Sequence, residues 1–487
     1  MDVSAVPLLD VIRSLAFVGD LAMGQPTDHS PRAAWMAGQL AKAVGADDAS
    51  CREATTVALL RWSGCTANAP EFAQLFGDDV SGRKALLATQ SSSSGFRSGT
   101  RHKGSAFLSL SRIHCEVSGD IAVQLGLNEA TQFALRHLFE SHDGSGAPGS
   151  LRGEQVPASV YMASLAGDLD IFNRLYGIEQ ACKLIDQRAD VLYPQALASR
   201  VVANASRWLA ALDDDPTLSG PCSLDAAFAD RTTSLEILAH VIDLKLPWMT
   251  GYSRQVAQLA GNAAAELGLG APSQQKVYRA ALIHGMGRAA VPNMIWETPG
   301  KLAASAWERV RLVPYWTGRA ARQIGSLAGE AEVASYAYER PDGSGYYREA
   351  KAGSIPIEGR ILAAAAALAA LRAARPWRDA FAEDAAGSLL MAEAAAGRYD
   401  ADVVRVLLNK HQRSKAKPPS APSTGLLTER ERDVLRWISL GASNKTAAQK
   451  LSISPSTVRT HIESVFRKLE CSTRAAATLK ATQLGLL

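Results

Sequence analysis

Two stretches of this chain repeat themselves, and that self-similarity limits the folds open to it more than any other feature. Asp28 to Cys65, beginning DHSPRAAWMAGQLAKAVGA and ending ALLRWSGC, aligns without a gap on Gly251 to Arg288, beginning GYSRQVAQLAGNAAAELGL and ending ALIHGMGR, at a constant offset of 223. His114 to Pro157 aligns on Val313 to Pro356 at an offset of 199, which sets ESHDGSG (Glu140 to Gly146) on ERPDGSG (Glu339 to Gly345). The offsets differ by 24, so the first copy carries an insertion between Cys65 and His114. A chain of 487 residues is too long for one core, and duplication fixes how the cores are shared out.

Within each copy the apolar residues recur at three or four residue steps, so the reading is helical throughout. The spacing predicts repeat one over 1–210, a linker over 211–230 marked by DDDP and SGP, and repeat two over 231–408. A basic Pro/Ser linker over 409–425 and a terminal module over 426–487 complete the chain. The Ser-rich insertion Ala88 to Ser105 reads as a flexible loop in which Arg97, Arg101, His102 and Lys103 are candidates to grip an anion.

No run approaches the eighteen apolar residues of a membrane span; Ile361 to Leu371, bounded by Arg360 and Arg372, reads as a buried helix. The N-terminus shows no secretory signal, and six scattered cysteines without C-x-x-C spacing read as reduced thiols. A cytoplasmic protein without cofactor, metal or membrane contact is expected.

The terminal module is the sharpest motif. Thr428 and Glu431 have capping-box spacing before a helix carrying Val434, Leu435, Ile438 and Leu440. Gly441 closes that helix, and Ser443 or Asn444 can cap a second, running to Leu451. Pro455 opens a third at the position where a missing N–H costs nothing. There Val458, Ile462, Val465 and Leu469 form the buried stripe, so Arg459, Thr460, Glu463, Arg467 and Lys468 point away; a fourth helix spans Arg474 to Gln483. From Leu427 on there are ten Lys or Arg against five Asp or Glu, and the linker adds four bases and no acid. With a whole-chain net charge of +4, that makes the tail strongly basic and the body acidic, so only the tail is built to approach phosphates.

These residues resemble the LuxR-type helix-turn-helix shared with NarL-like response regulators, across LTERERDVL, the G-x-SN of Gly441 to Asn444, ISPSTVRTH from Ile453 to His461, and Lys468-Leu469. The resemblance implies that the third helix reads the major groove of double-stranded promoter DNA and that the fourth makes a homodimer contact. It sets Arg459, Thr460 and Glu463 at base-facing positions and Asn444, Ser454, Thr457 and Lys468 at backbone-contacting ones. Lys445 and Arg467 complete the expected DNA-facing set. Glu463 departs from the lysine common there; it either accepts from a cytosine N4 or sits outside the contact.

Each repeat resembles the HD-GYP branch of the HD superfamily, all-helical metal phosphohydrolases many of which hydrolyse cyclic dinucleotides. The resemblance implies two metals held by an early His, a His-Asp pair, a middle His, a His-His pair and a late Asp. In repeat one His29 and His114 match, and Asp168 matches with a one-residue insertion. The His-Asp pair has become Arg61 and Trp62, and the His-His pair Leu138 and Phe139. In repeat two the positions hold Tyr252, His284 with Gly285, Val313, Ala337 with Tyr338, and the alanine run near Ala366.

The fold expected is thus all-α: tandem degenerate HD-GYP-like domains followed by a four-helix LuxR-type module. The function expected is a DNA-binding regulator, not an enzyme, whose body senses a small-molecule or nucleotide effector or a partner. His29, Arg61, His114, Asp143, Asp168, His284 and Asp342 are the candidate pocket residues. The alternatives are a metal-dependent phosphohydrolase active in repeat one and a constitutive DNA-binding scaffold.

Overall fold

The computed structural model describes residues 3–89, 101–215, 220, 224–322, 325–413 and 425–487. The chain divides into two compact units, Pro7–Arg231 and Met1–Val6 with Thr232–Leu487. The elements that matter here begin with β1 (Ala5–Pro7), α1 (Leu8–Ala22), α2 (His29–Ala43), α3 (Asp48–Leu60), α4 (Arg101–Gln124), α5 (Glu129–Arg136), α6 (Ala158–Tyr176) and α7 (Gln195–Asp214). The second unit adds β2 (Thr232–Ser234), α8 (Glu236–Asp243), α9 (Tyr252–Glu266), α10 (Ala271–Ile283), α11 (Val313–Arg322), α12 (Ala328–Ala334), α13 (Ile357–Arg372) and α14 (Ala401–Arg413). The terminal bundle is α15 (Glu429–Ser439), α16 (Asn444–Leu451), α17 (Pro455–Lys468) and α18 (Arg474–Gln483).

The duplication read from the sequence reappears in the helix ends. α9 and α10 begin and end 223 residues after α2 and α3, and α12 and α13 begin 199 residues after α5 and α6. In each copy three helices pack together, α2 with α3 and α6, and α9 with α10 and α13. Alanines at the contact, such as Ala37, Ala41, Ala257 and Ala260, are fully buried and let the backbones approach closely. The same two polar fastenings recur in both copies. Asp20 accepts from the Ser30 backbone N–H and hydroxyl at 3.0 and 2.6 Å, and Asp243 accepts from the same groups of Ser253 at 2.9 and 2.7 Å. Glu140 and Glu339 accept backbone N–H groups from the turns after them, at Ser150 and Gly149 and at Arg348 and Ala350.

Several sequence boundaries move. The first residues pair with the second unit, because β1 and β2 form a two-stranded sheet in an otherwise helical chain. α7 continues to Asp214, beyond the expected end of repeat one at 210, and α14 continues to Arg413, inside the expected linker. The expected loop Ala88 to Ser105 ends at Arg101, where α4 begins; its residues 90–100, and 414–424 of the basic linker, lie outside the described residues. Cys51 is disulfide-bonded, so the expectation of six reduced thiols fails there, while Cys65, Cys115, Cys182 and Cys471 are free. Among the described residues no helix is long and apolar enough to cross a membrane.

In the terminal bundle Thr428 and Glu431 form the capping box, Ser443 and Ser454 cap α16 and α17, and Pro455 sits in the first turn. Val434, Leu435, Val458 and Val465 are fully buried at the centre of its core, joined by Ala477 and Ala481 of α18. Ala476 and Leu479, also buried, lie on the opposite side of α18, which packs against α8 of the second repeat. Thr250 donates to the Ser439 carbonyl at 2.8 Å across this same contact, and Gly441, at φ +85°, lies against Pro247.

Candidate functional site

In repeat one, α2 carries His29 into the interior against α6. Its Nδ1 hydrogen-bonds Asp170 at 2.8 Å, and Asp170 also accepts from Arg32 Nε at 2.9 Å and Arg174 Nε at 3.0 Å. Burial opposes the charge on His29, but the bond to Asp170 and the nearby carboxylates hold its pKa above the ordinary histidine value. Burial likewise opposes ionisation of Asp170, and His29 with the two arginines outweighs it, holding that carboxyl below its ordinary value.

Asp168, a candidate pocket residue, does not join His29. α6 is an unbroken helix across both aspartates. At roughly 100° of rotation per residue, Gly167 faces His29 and Asp168 points elsewhere, bonding Arg188 at 3.0 Å and lying 3.4 Å from the Tyr193 hydroxyl.

Below this network Asp20 is bonded to Ser30, and His29 acts on it only through space. Burial drives its pKa up to about 7, against the opposing fields of His29 and Ser30. The native state therefore keeps a proton that the unfolded chain releases near its ordinary value of 3.8, so stability falls as pH rises from there to about 7 and is flat above. Asp20→Asn should abolish a fall of about 2–4 kcal/mol between pH 4 and 7.5, measured as the wild-type-minus-variant difference in unfolding free energy. Parallel pH profiles would contradict the assignment.

His114 and Arg61 do come together. His114 Nε2–H donates to the Arg61 carbonyl at 2.8 Å, and its Nδ1 faces the Cys65 sulfur at 3.7 Å. Burial lowers the His114 pKa to about 3, so it is neutral. Trp62, Phe72, Leu110 and Phe139 wall a cavity of about 190 Å³ beside them.

Repeat two has filled the corresponding space. Arg288, aligned with Cys65, is 3% exposed and points its guanidinium inward. Nη2 donates to His284 Nε2 at 2.8 Å and to the Tyr338 hydroxyl at 2.9 Å, and the group lies 5.0 Å from the Tyr252 ring centre. Since His284 donates from Nδ1 to the Ala281 carbonyl, its one lone pair is engaged by Arg288. Asp243 lies 3.9 Å from Arg288 Nη1; burial raises its pKa to about 6 and Arg288 opposes the rise.

Asp143 and Asp342 stand in surface turns, each accepting the N–H two residues on, from Ser145 at 2.8 Å and Ser344 at 2.9 Å, and neither lines the cavity beside His114. A separate cleft of about 420 Å³ lies beside α11, bordered by Tyr315, Arg319, Tyr347 and Arg348.

A metal pair does not fit either copy. Among the described residues no three His, Cys, Asp or Glu side chains gather where they could hold an ion. His29 is bound to a carboxylate that two arginines share, and His284 is capped by a guanidinium.

In the terminal bundle Arg459 and Glu463 stand outward on α17, 75% and 63% exposed, joined at 2.9 Å. Thr460, Thr457, Ser454, Lys445 and Arg467 are exposed beside them. Lys468 is engaged inside the bundle, donating to Glu431 at 2.7 Å, and Asn444 accepts from Arg474 at 2.6 Å. These two side chains fasten helices together, a role the sequence reading missed.

Sequence reasoning also missed Asp20, Asp243 and Arg288, while Asp170, in GDLDIF, reads from the sequence equally as a surface or a pocket residue. Extending the first alignment eight residues upstream would have set Asp20 on Asp243 at the same offset of 223.

Residues 236–403 match the HD domain family and residues 425–481 match the bacterial regulatory proteins of the luxR family. The chain is 26% identical over 417 residues to 3'3'-cGAMP-specific phosphodiesterase 3 of Vibrio cholerae, covering 79% of this chain and 90% of that one. It is 32% identical over 167 residues to the cyclic di-GMP phosphodiesterase response regulator RpfG of Xanthomonas campestris, covering 33% and 43%. It is 38% identical over 86 residues to the probable transcriptional regulatory protein NarL of Mycobacterium tuberculosis, covering 18% and 40%. The crystal structure of the V. cholerae phosphodiesterase V-cGAP3 superposes with a TM-score of 0.59 at 22% identity, over 84% of this chain and 98% of that one, a likeness of fold. These relatives overturn the expectation that the chain is not an enzyme: a protein named as a phosphodiesterase aligns over 79% of it and others over about a third, and missing expected ligands do not show a body of this kind to be inactive.

Proposed function

We propose that this chain, which carries an HD domain and a C-terminal LuxR-type helix-turn-helix domain, is a transcription regulator whose tail binds promoter DNA and whose tandem helical body takes a small-molecule effector. The observation that carries the reading is Arg459, exposed on a helix whose other face is locked into a capped bundle. A helix so presented fits the major groove, and an arginine there can bond a guanine edge bidentately. Its exposed bond to Glu463 is worth little and yields to a base or phosphate. The site of action is then the cytoplasmic chromosome.

A homodimer would bind two half-sites and gain affinity through effective concentration. The body reaches the tail through the packing of α18 on α8 and the bond from Thr250 to Ser439. Dimerisation through α18 would require that packing to open.

Arg459→Ala in the full chain should weaken promoter binding by about 1–3 kcal/mol and relax sequence preference. Glu463→Ala should leave affinity equal or raise it, because it frees the arginine. Fluorescence anisotropy on promoter fragments across a salt series reads both; wild-type affinity in Arg459→Ala would exclude the groove assignment.

A second reading, cleavage of a cyclic dinucleotide by the body, is favoured by the likeness over 79% of the chain to a Vibrio protein named for that reaction. The cleft bordered by Tyr315, Arg319, Tyr347 and Arg348 supplies aromatic and cationic groups suited to a nucleotide. Chromatography of 3'3'-cGAMP incubated with the full chain, with and without added divalent cation, decides it by whether a linear product appears.

A further inference from the structure

The cavity of repeat one encloses a positive charge on which no carboxylate sits. Arg61 Nη1 donates to the Ser164 hydroxyl at 2.6 Å, the guanidinium lies 4.9 Å from the Trp62 ring centre, and its buried Nε has no acceptor. Asp168, which acts on it through space, is itself paired with Arg188.

The other groups facing the cavity do not balance that charge. Arg83 lies 3.8 Å from Asp79 and donates to the Ala22 and Cys65 carbonyls and to Asn68. His114 is held neutral by burial, which outweighs the opposing pull of its bond to the Arg61 carbonyl. The remaining wall is apolar, chiefly Trp62, Phe72, Leu110 and Phe139. A guanidinium taken out of water without a counter-ion is costly, and an arriving anion would relieve that cost.

Size narrows the occupant. The cavity measures about 190 Å³, a little more than the ~150 Å³ apolar hole that holds one benzene ring. A cyclic dinucleotide, with two purines and two phosphates, is far too large.

We propose that this cavity binds a small amphipathic monoanion, a carboxylate borne on an aromatic ring or a short acyl chain, with the carboxylate on Arg61 and the apolar body among Trp62, Phe72 and Phe139. The site rests on the reading of the body as the effector-binding part, and it is independent of the DNA contacts.

Titration calorimetry of the full chain with 2-naphthoate and octanoate, against their amides, tests it. At least one acid should bind ten-fold or more tighter than its amide. Arg61→Met should reduce the acid to the level of the amide while melting no lower than the wild type, since an unpaired buried charge is removed. A merely structural Arg61 would instead lower the melting temperature. Failure of both acids to bind, equal binding of acid and amide, retained acid binding in Arg61→Met, or displacement by a cyclic dinucleotide would each overturn the proposal. The acid-against-amide comparison on the wild type decides it even if the variant does not fold. DNA anisotropy in parallel separates the two readings: lost carboxylate binding with intact promoter binding removes this inference alone, whereas failure of the wild type to bind DNA removes the regulator reading.

Discussion

Arg288→Met will destabilise the second repeat by about 3–5 kcal/mol, and the loss will grow as pH rises from 5 to 8. Methionine keeps most of the volume, so the cost is electrostatic. The variant strands the Tyr338 hydroxyl and His284 Nε2 without their donor and leaves Asp243 in a dry interior with Ser253 and the Tyr252 backbone beside it and no cation paired to it. With Arg288 present the Asp243 pKa is about 6, already above its ordinary 3.8. A carboxyl raised in the folded state binds a proton that the unfolded chain has released, so stability falls with rising pH until the folded pKa is passed. Without the guanidinium that pKa rises further, and the decline extends to higher pH. Denaturant unfolding of the transition belonging to this unit, followed at pH 5, 6.5 and 8, reads the effect. The double variant with Asp243→Asn should recover part of the loss at pH 8; no recovery, or a loss independent of pH, would remove the ion-pair account.

The second large effect belongs to the terminal bundle. Glu431 is 5% exposed and accepts from the Thr428 N–H, Lys468 Nζ and the Ser464 hydroxyl, each at 2.7 Å. One carboxylate thereby closes the N-terminus of α15 and ties α15 to α17. Burial raises its pKa, but Lys468, Thr428 and Ser464 outweigh that and bring it down to about 2. Its contribution is fully present above the ordinary value of 4.5 and is lost as pH falls toward 2. Glu431→Gln removes the charge that pairs with Lys468 and turns its amide toward Ser464, whose hydroxyl must reverse from donor to acceptor. About 2–3 kcal/mol of bundle stability should be lost, and the acid-induced step between pH 4.5 and 2 should vanish with it. Promoter binding should fall only where the bundle is partly unfolded, at high temperature or in denaturant. Lys468→Met should produce a similar loss that is not additive with Glu431→Gln. Additive losses would show that the two side chains act separately.

The same pair illustrates how far sequence reasoning reaches. The capping box at Thr428 and Glu431, the proline opening α17 and the stripe Val458, Ile462, Val465, Leu469 are local signals, and each appears where the spacing puts it. Lys468 was legible only as an outward cation, because the pattern of α17 does not reveal that Glu431, 37 residues earlier, lies beside it. His114 and Arg61 were separately legible as candidate pocket residues, yet the absence of a counter-ion on Arg61 follows from Asp168 turning toward Arg188. That rotation depends on the register of α6, and a shift of a single residue changes the answer by about 100°.

What the sequence determined by itself is therefore what nearest neighbours along the chain decide: two helical copies at offsets of 223 and 199, and a basic, capped four-helix tail. The periodicity of apolar residues, the caps and the charge balance are all written within a few residues of where they act. Only the tertiary structure decided that Asp170 rather than Asp168 holds His29, that Arg288 fills in repeat two the space left open beside Cys65 in repeat one, and that α18 packs on α8. Apart from the Arg288–His284 bond, those contacts join side chains tens to more than a hundred residues apart, and whether they form depends on helix rotation and on which helices abut, neither of which has a local signature.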